Sequence, residues 1–536
     1  METLPKKIFA ILFLIFVTNP FLSFSQNNDS KSTDQKFSSA LSIINYAYVD
    51  TVNQTKLVEK AIIAMLKELD PHSVYLSKKD YKEANEPLLG NFDGIGVQFL
   101  IVKDTIVVVS PNPDGPSEKV GILAGDKIIK IDGELAVGPK VDNSYAFKKL
   151  RGPKGTIVKV SIMRKGKKDL EEFEIKRDKI PINSIDATFM ANSSVGYIKL
   201  NRFGQNSLTE YRNSLSELKS KGMINLILDL RGNGGGYLST AIDLSDEFLE
   251  KDKLIVYTEG VNSANQKYYS TERIGSFEQG KLIVLIDEGS ASASEIVSGA
   301  IQDLDRGLII GRRSFGKGLV QRPYQLPDSS TIRLTTARYH TPTGRCIQRP
   351  YINGVEQYYK DLTSRSSKGE LIHPDSIHFP DSLKFYTPNN RLVYGGGGIM
   401  PDIFIPLDTT KNSDYYSALN KKNLLNQYII QYLEINRAKL KSTYSSLESY
   451  ISGFYIDINF MKEFFAFAEK EGVKKDEKGF FKSENSIKTN FKAIIARNLW
   501  NTSAYYQTFS ILDDVFQKAL EVMNDDTFRK MKVQTN

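Results

Sequence analysis

Residues 289–321, GSASASEIVSGAIQDLDRGLIIGRRSFGKGLVQ, place a serine-rich helix start ahead of a lysine set between two glycines. A serine hydroxyl can attack a carbonyl once a base removes its proton, and an uncharged lysine amine can be that base. Lys317 would have to lose roughly three units from an ordinary pKa of about 10.4, at a cost on the order of 4 kcal/mol. Phe315, Leu319, Ile309 and Ile310 can exclude water around it, and Gly316 and Gly318 allow close backbone approach. If the chain continues as a strand, Lys317, Leu319 and Gln321 share a face, and Gln321 can orient the amine. Four serines compete for the nucleophile: Ser290, Ser292, Ser294 and Ser298. Spacing does not choose among them, and each could be only a cap or a small packing residue. Glu295 shares a helix face with Ser292, where it tunes the site or caps the helix.

A second element supports acyl chemistry. The apolar run INLILDL (224–230) ends in Arg231-Gly232-Asn233-Gly234-Gly235-Gly236. Glycines after a strand expose backbone N–H groups, the donors a tetrahedral oxyanion needs. Two rival readings of these residues are weak. Gly311 through Lys317 is most of a phosphate-binding loop, but Gly318 stands where a magnesium-holding Ser or Thr is required. His340 could serve an ordinary serine triad; His72 sits in a helix-ending turn, and His373 and His378 lack carboxylates at metal-ligand spacing. No metal and no cofactor are expected. Cys346, the only cysteine, has no histidine motif around it and cannot form an internal disulfide.

These residues need scaffolding, and the 536-residue chain can supply several domains. Its net charge of +8 is spread along the chain without the basic-aromatic alternation that tracks nucleic acid. Lys6 and Lys7 precede an apolar run, Ile8 to Leu22, and Ser23-Phe24-Ser25 offers small residues for cleavage. Residues 1–25 therefore read as a signal peptide, not a lipoprotein anchor, and the product as exported to the periplasm or cell envelope. Residues 27–36 are polar and read as disordered. From Phe37 to Ala84 apolar positions recur at helical spacing, giving an N-terminal helical region, 26–85. From 86 to 180 the period becomes two. From 181 to 410 apolar strand runs alternate with helices, an α/β layer. From 411 to 536 the pattern is helical again, with aromatic stripes read as packing faces.

Two resemblances follow from these motifs. Residues 86–180 resemble a PDZ domain: Gly94-Ile95-Gly96-Val97 matches the loop that captures a peptide carboxylate, followed by SEKVGILAGDKIIKIDGE and LRGPKGTIVKV (150–160). Residues 37–407 resemble the carboxyl-terminal processing, or tail-specific, proteases. SASASEI followed by FGKGLVQ matches the family's Ser–Lys signature, LDLRGNGGG its oxyanion loop, and GGGGIMPDI (395–403) a closing segment of its catalytic domain. The resemblance implies a crotonase-like α/β protease core with an inserted PDZ domain and helical regions at both ends. It implies Ser292 as nucleophile, Lys317 as base and Gln321 as orienting residue, with the amides of Gly235 and Ala293 as oxyanion hole. The implied partners are protein or peptide substrates held by their C-terminal tails, with an adaptor and a homo-oligomer compatible and nucleic acid excluded. An inactive PDZ scaffold and an acyl-CoA enzyme of the same core fold are the alternatives. Nothing in the family core accounts for the helices after about residue 410, for which a dimerisation element or a lid is the expectation.

Overall fold

The strands of the catalytic sheet are almost wholly apolar, as strands covered on both faces must be. A computed structural model describes residues 28–261 and 265–534. The expected signal peptide lies outside them. The described chain divides into two compact units, with the boundary between Met65 and Leu66. In the first, a helix spans Asn28–Ala47, so the segment 27–36 is helical from Asn28 onward. It is polar, but it contains no proline or glycine to stop a helix. A second helix, Gln54–Lys67, ends just before the Asp70-Pro71 turn. Among the described residues no helix is long and apolar enough to cross a membrane.

In the second unit, the central sheet runs in the order Ile185–Met190, Val195–Leu200, Asn225–Asp229, Leu282–Ile286, Leu308–Gly311, Ile403–Phe404. The first pair is antiparallel and the rest are parallel. Alternate residues face opposite ways. Leu226, Leu228, Val284 and Ile286 pack with Leu215, Leu244, Ile296 and Val297 from helices Ser207–Ser220, Leu238–Asp246 and Ala293–Asp303. Ile227, Ile283, Leu285 and Ile310 face the other way, onto Phe516, Ala519, Val522 and Phe528. A second, antiparallel sheet is built around the long strand Thr331–His340, which pairs with Val74–Leu76, Leu254–Glu259 and Leu319–Gln325.

The C-terminal helices therefore do two different things. Those between Asp414 and Leu499 enclose a core of their own, rich in aromatic pairs around Tyr428, Phe460, Phe464 and Phe491. Residues 502–533 supply the layer that covers the second face of the catalytic sheet, while Ala504 and Tyr505 still pack into the helical core.

The period-two region folds as a small antiparallel sheet with two short helices, Pro116–Lys119 and Asn143–Leu150. Strand Val97–Val102 lies at its edge, and Phe99 meets Phe147 of the longer helix at 5.5 Å. A two-stranded ribbon, Asn91–Gly94 with Asp178–Pro181, joins this module to the catalytic core. Lys103 and Lys165 pair with Glu471 and Glu434 of the helical module at 3.0 and 3.8 Å.

Candidate active site

The strand Leu282–Ile286 leads through a tight turn into helix Ala293–Asp303. Of the four candidate serines, three have committed hydroxyls. Ser290 Oγ donates to Leu230 O, Ser294 Oγ to Asn233 O and Ser298 Oγ to Ser294 O, each at 2.8 Å, and all three residues are fully buried. Ser292 differs. It caps the helix with φ 56° and ψ −111°, a strained conformation for a residue with a side chain, and it lines an open cleft of about 560 Å³.

Lys317 lines the same cleft, together with Ala293, Gly235, Gln321 and Tyr339. Its flanking glycines are needed for space. A Cβ on Gly316, whose φ is 90°, would lie 2.5 Å from the Arg349 side chain, and one on Gly318 2.9 Å from the Gln348 nitrogen. Burial pushes the Lys317 amine down from 10.5 to about 8, helped by the charge of Arg333 and opposed by Glu295 and Asp70. Among the described residues no carboxylate lies within ion-pair distance of it. A second hollow, of about 620 Å³ and lined by His72, Phe315 and Tyr359, opens beside Lys317 as well. Burial and the nearby lysine push His72 down to about 4, so it adds no positive charge there at neutral pH.

Glu295 connects Ser292 with Lys317. Its fully buried carboxylate accepts from Ser292 N at 2.8 Å and Lys317 N at 2.9 Å through Oε2, and from Ser314 Oγ and Gly316 N at 2.6 Å through Oε1. Burial pushes its carboxyl up, and these four donors work against that. The amides that would cradle a phosphate are thus spent on an internal carboxylate. From the other side, the buried Tyr339 hydroxyl reaches both Ser292 O and Lys317 O. Nothing in the sequence pattern singled out Tyr339.

The glycine loop lies against the serine turn. A Cβ on Gly235, whose φ is 99°, would lie 2.9 Å from Ser292 Cβ and 3.0 Å from Ala293 N. Gly235 N–H donates to Asn233 Oδ1 at 2.9 Å, while Ala293 N–H stands in the first helical turn, where no intrahelical acceptor exists. Asn233 is a buried hub that sequence reasoning passed over. Its side chain also donates to Leu200 O, and its carbonyl accepts Ala291 N and Ser294 Oγ. Upstream, Arg231 is clasped by Asp229 and by both oxygens of Asp513, at 2.8 and 2.6 Å.

Gln321 reaches the cleft, but not by simple alternation from Lys317. The strand begins at Leu319, and its register with Thr331–His340 breaks between Val320 and Gln321. His340 is engaged elsewhere, stacked on Tyr257 and bonded to Gly344 O and Glu259. In the period-two module, Ile95 O is fixed by Ser117 N and Oγ, and Gly96 has φ 70°. These contacts set the Gly94–Val97 loop at the head of the edge strand.

Comparisons with known proteins agree with this layout. Residues 194–359 match peptidase family S41 and 94–176 a PDZ domain. Residues 20–80 match the N-terminal domain of the activating protease CtpB, and 415–501 a family of unknown function. The chain is 36% identical over 324 residues to carboxy-terminal processing protease CtpB of Bacillus subtilis, covering 60% of this chain and 66% of that one. It is 36% identical over 350 residues to the carboxy-terminal-processing protease of Bartonella bacilliformis, covering 62% of this chain and 80% of that one. The chain belongs to the carboxy-terminal processing proteases. Among solved structures, the photosystem II D1 C-terminal processing protease matches at 25% identity and a TM-score of 0.35, covering 72% of this chain and 95% of that one. The inactive-scaffold and acyl-CoA alternatives are not favoured by this membership, which makes the chain a serine-type peptidase.

Proposed function

We propose that this peptidase is an exported endopeptidase that takes hold of protein C-terminal tails and cuts near them with a Ser292–Lys317 dyad. One observation carries the reading: a serine on a strained turn and a lysine with a depressed pKa line one cleft, their backbones held by one buried carboxylate. Uncharged Lys317 takes the Ser292 hydroxyl proton as Oγ bonds to the peptide carbonyl carbon. The oxyanion forms against the amides of Ala293 and Gly235, the latter turning from Asn233 Oδ1 or sharing its proton. Collapse breaks the C–N bond, the Lys317 ammonium returns its proton to the leaving amine, and an ester on Ser292 remains. Water, deprotonated by Lys317, hydrolyses the ester. Gln321 orients the amine and Glu295 holds the geometry.

The tail docks by adding a strand to the edge Val97–Val102, with its terminal carboxylate on the Gly94–Val97 amides. The basic, apolar and small-residue order of residues 1–25 directs export to the periplasm or envelope.

Purified protein and its Ser292→Ala variant, incubated with tail peptides ending in free or amidated carboxyl groups, test this reading. Cleavage by the parent alone, with the variant still binding free-acid tails, is the expected result. Turnover by Ser292→Ala removes the nucleophile assignment, and equal binding of amidated tails removes the carboxylate site.

A further inference from the structure

The register break before Gln321 places it directly across from Thr335. Gln321 Nε2 donates to Thr335 Oγ1 at 3.3 Å, and Thr335 Oγ1 donates to Asp70 Oδ1 at 3.1 Å. Asp70 is buried in the turn that follows helix Gln54–Lys67, where it also accepts from His72 N, Ser73 N and Ser73 Oγ. Ser73 Oγ in turn accepts from Thr335 N at 3.1 Å. The direction of this chain is fixed by chemistry. A carboxylate surrounded by four donors can only accept, so the single proton of Thr335 goes to Asp70. Thr335 Oγ1 is then an acceptor, and only the NH2 end of Gln321 can face it. The carbonyl end of that amide is left to accept elsewhere, and Gln321 and Lys317 line one cleft. Were the amide to rotate by half a turn, its NH2 would compete for the lysine lone pair that must take the serine proton.

We propose that Asp70 and Thr335 are positioning residues for the reaction, acting as a directional relay that keeps the Gln321 carbonyl, and not its NH2, turned toward Lys317. It rests on the proposed role of Gln321. Neither residue touches the reacting atoms; because the Asp70 charge also acts directly on the Lys317 amine, the test is placed on Thr335, whose effect passes through that amide. Thr335 lies on the central strand of the second sheet, and Asp70 enters from a turn remote in sequence.

A double-mutant cycle tests the relay. Tail-peptide hydrolysis is measured for the parent, Thr335→Val, Thr335→Ser, Gln321→Ala and the Thr335→Val/Gln321→Ala pair, with unfolding midpoints recorded for each. Thr335→Val keeps the shape and β-branching but cannot accept, and its kcat should fall about 10- to 100-fold at nearly constant KM. Thr335→Ser should stay within about threefold of the parent, and the double variant should be no slower than Gln321→Ala alone. If Thr335→Val does not fold, Thr335→Ala, which also removes the acceptor, takes its place and should show the same fall in kcat. Parent-like kcat in Thr335→Val beside an impaired Gln321→Ala overturns the relay and spares Gln321. Additive losses also overturn it. Parent-like kcat in Gln321→Ala is the separate failure of the role assigned to Gln321.

Discussion

Glu295 accepts the backbone N–H of Lys317 at 2.9 Å through the oxygen that also accepts from Ser292. With Tyr339, it is one of two single-residue bridges, among the described residues, between the members of the proposed dyad, and it explains how residues from a helix start and a separate loop keep one geometry. In Glu295→Gln, an NH2 must face two of the four present donors. The variant should lose about 3 kcal/mol or more of stability and most of its kcat, as measured by urea unfolding and peptide hydrolysis. An unchanged unfolding midpoint would show that the carboxylate is dispensable.

The proposed reaction needs Lys317 uncharged, and burial brings its amine to about 8. Activity should therefore rise with pH through that value and level off above it. Arg333 contributes to the depression, so Arg333→Gln should shift the rising limb upward by about half a unit to one unit while leaving the high-pH plateau in place. A limb that stays put, or shifts downward, contradicts the electrostatic account of the base.

The same depression has a stability cost with a definite sign. The folded amine titrates near 8 and a free one near 10.5, so between those values the unfolded chain binds more protons. Stability contributed by this group rises with pH across that window, and below it the full penalty, on the order of 3 kcal/mol, is present. Lys317→Met should thus be more stable than the parent at pH 7, with the gap closing as pH passes 10.5. Denaturant midpoints across pH measure it; a variant less stable at pH 7 refutes the sign.

Asp513 grips Arg231 with both oxygens, and Arg231 begins the glycine loop. Burial works against the charge of Asp229, yet Arg231 and Lys199 hold that carboxyl far below the ordinary range. Asp513→Ala should cost about 2 kcal/mol and lower kcat more than it raises KM, because the loop carrying Gly235 loses an anchor. Hydrolysis kinetics and thermal unfolding read both quantities, and a stability loss without any kinetic effect would separate the anchor from the oxyanion loop.

Much of this was legible in the residues. Strands such as INLILDL and KLIVLID announce themselves because both faces are buried, and the glycines around Lys317 mark close approach. The choice of Ser292 needed either the family resemblance or the observed bonds of Ser290, Ser294 and Ser298. Asp70 and Thr335 were not legible, because nothing in a linear pattern pairs two residues 265 positions apart. Residues 502–533 show why an amphipathic pattern is incomplete information. Asp514–Asn524 has an apolar face, but only the fold reveals that it lies on the catalytic sheet. The expectation of disorder at 27–36 mistook polarity for the absence of structure.

The layer made by residues 502–533 also sets an order on biosynthesis. A ribosome releases those residues after both members of the proposed dyad have been made, and until they fold back, Ile227, Ile283, Leu285 and Ile310 lack the cover of Phe516, Ala519, Val522 and Phe528. A half-made copy of this peptidase therefore lacks the backing of its catalytic sheet until those residues have been made.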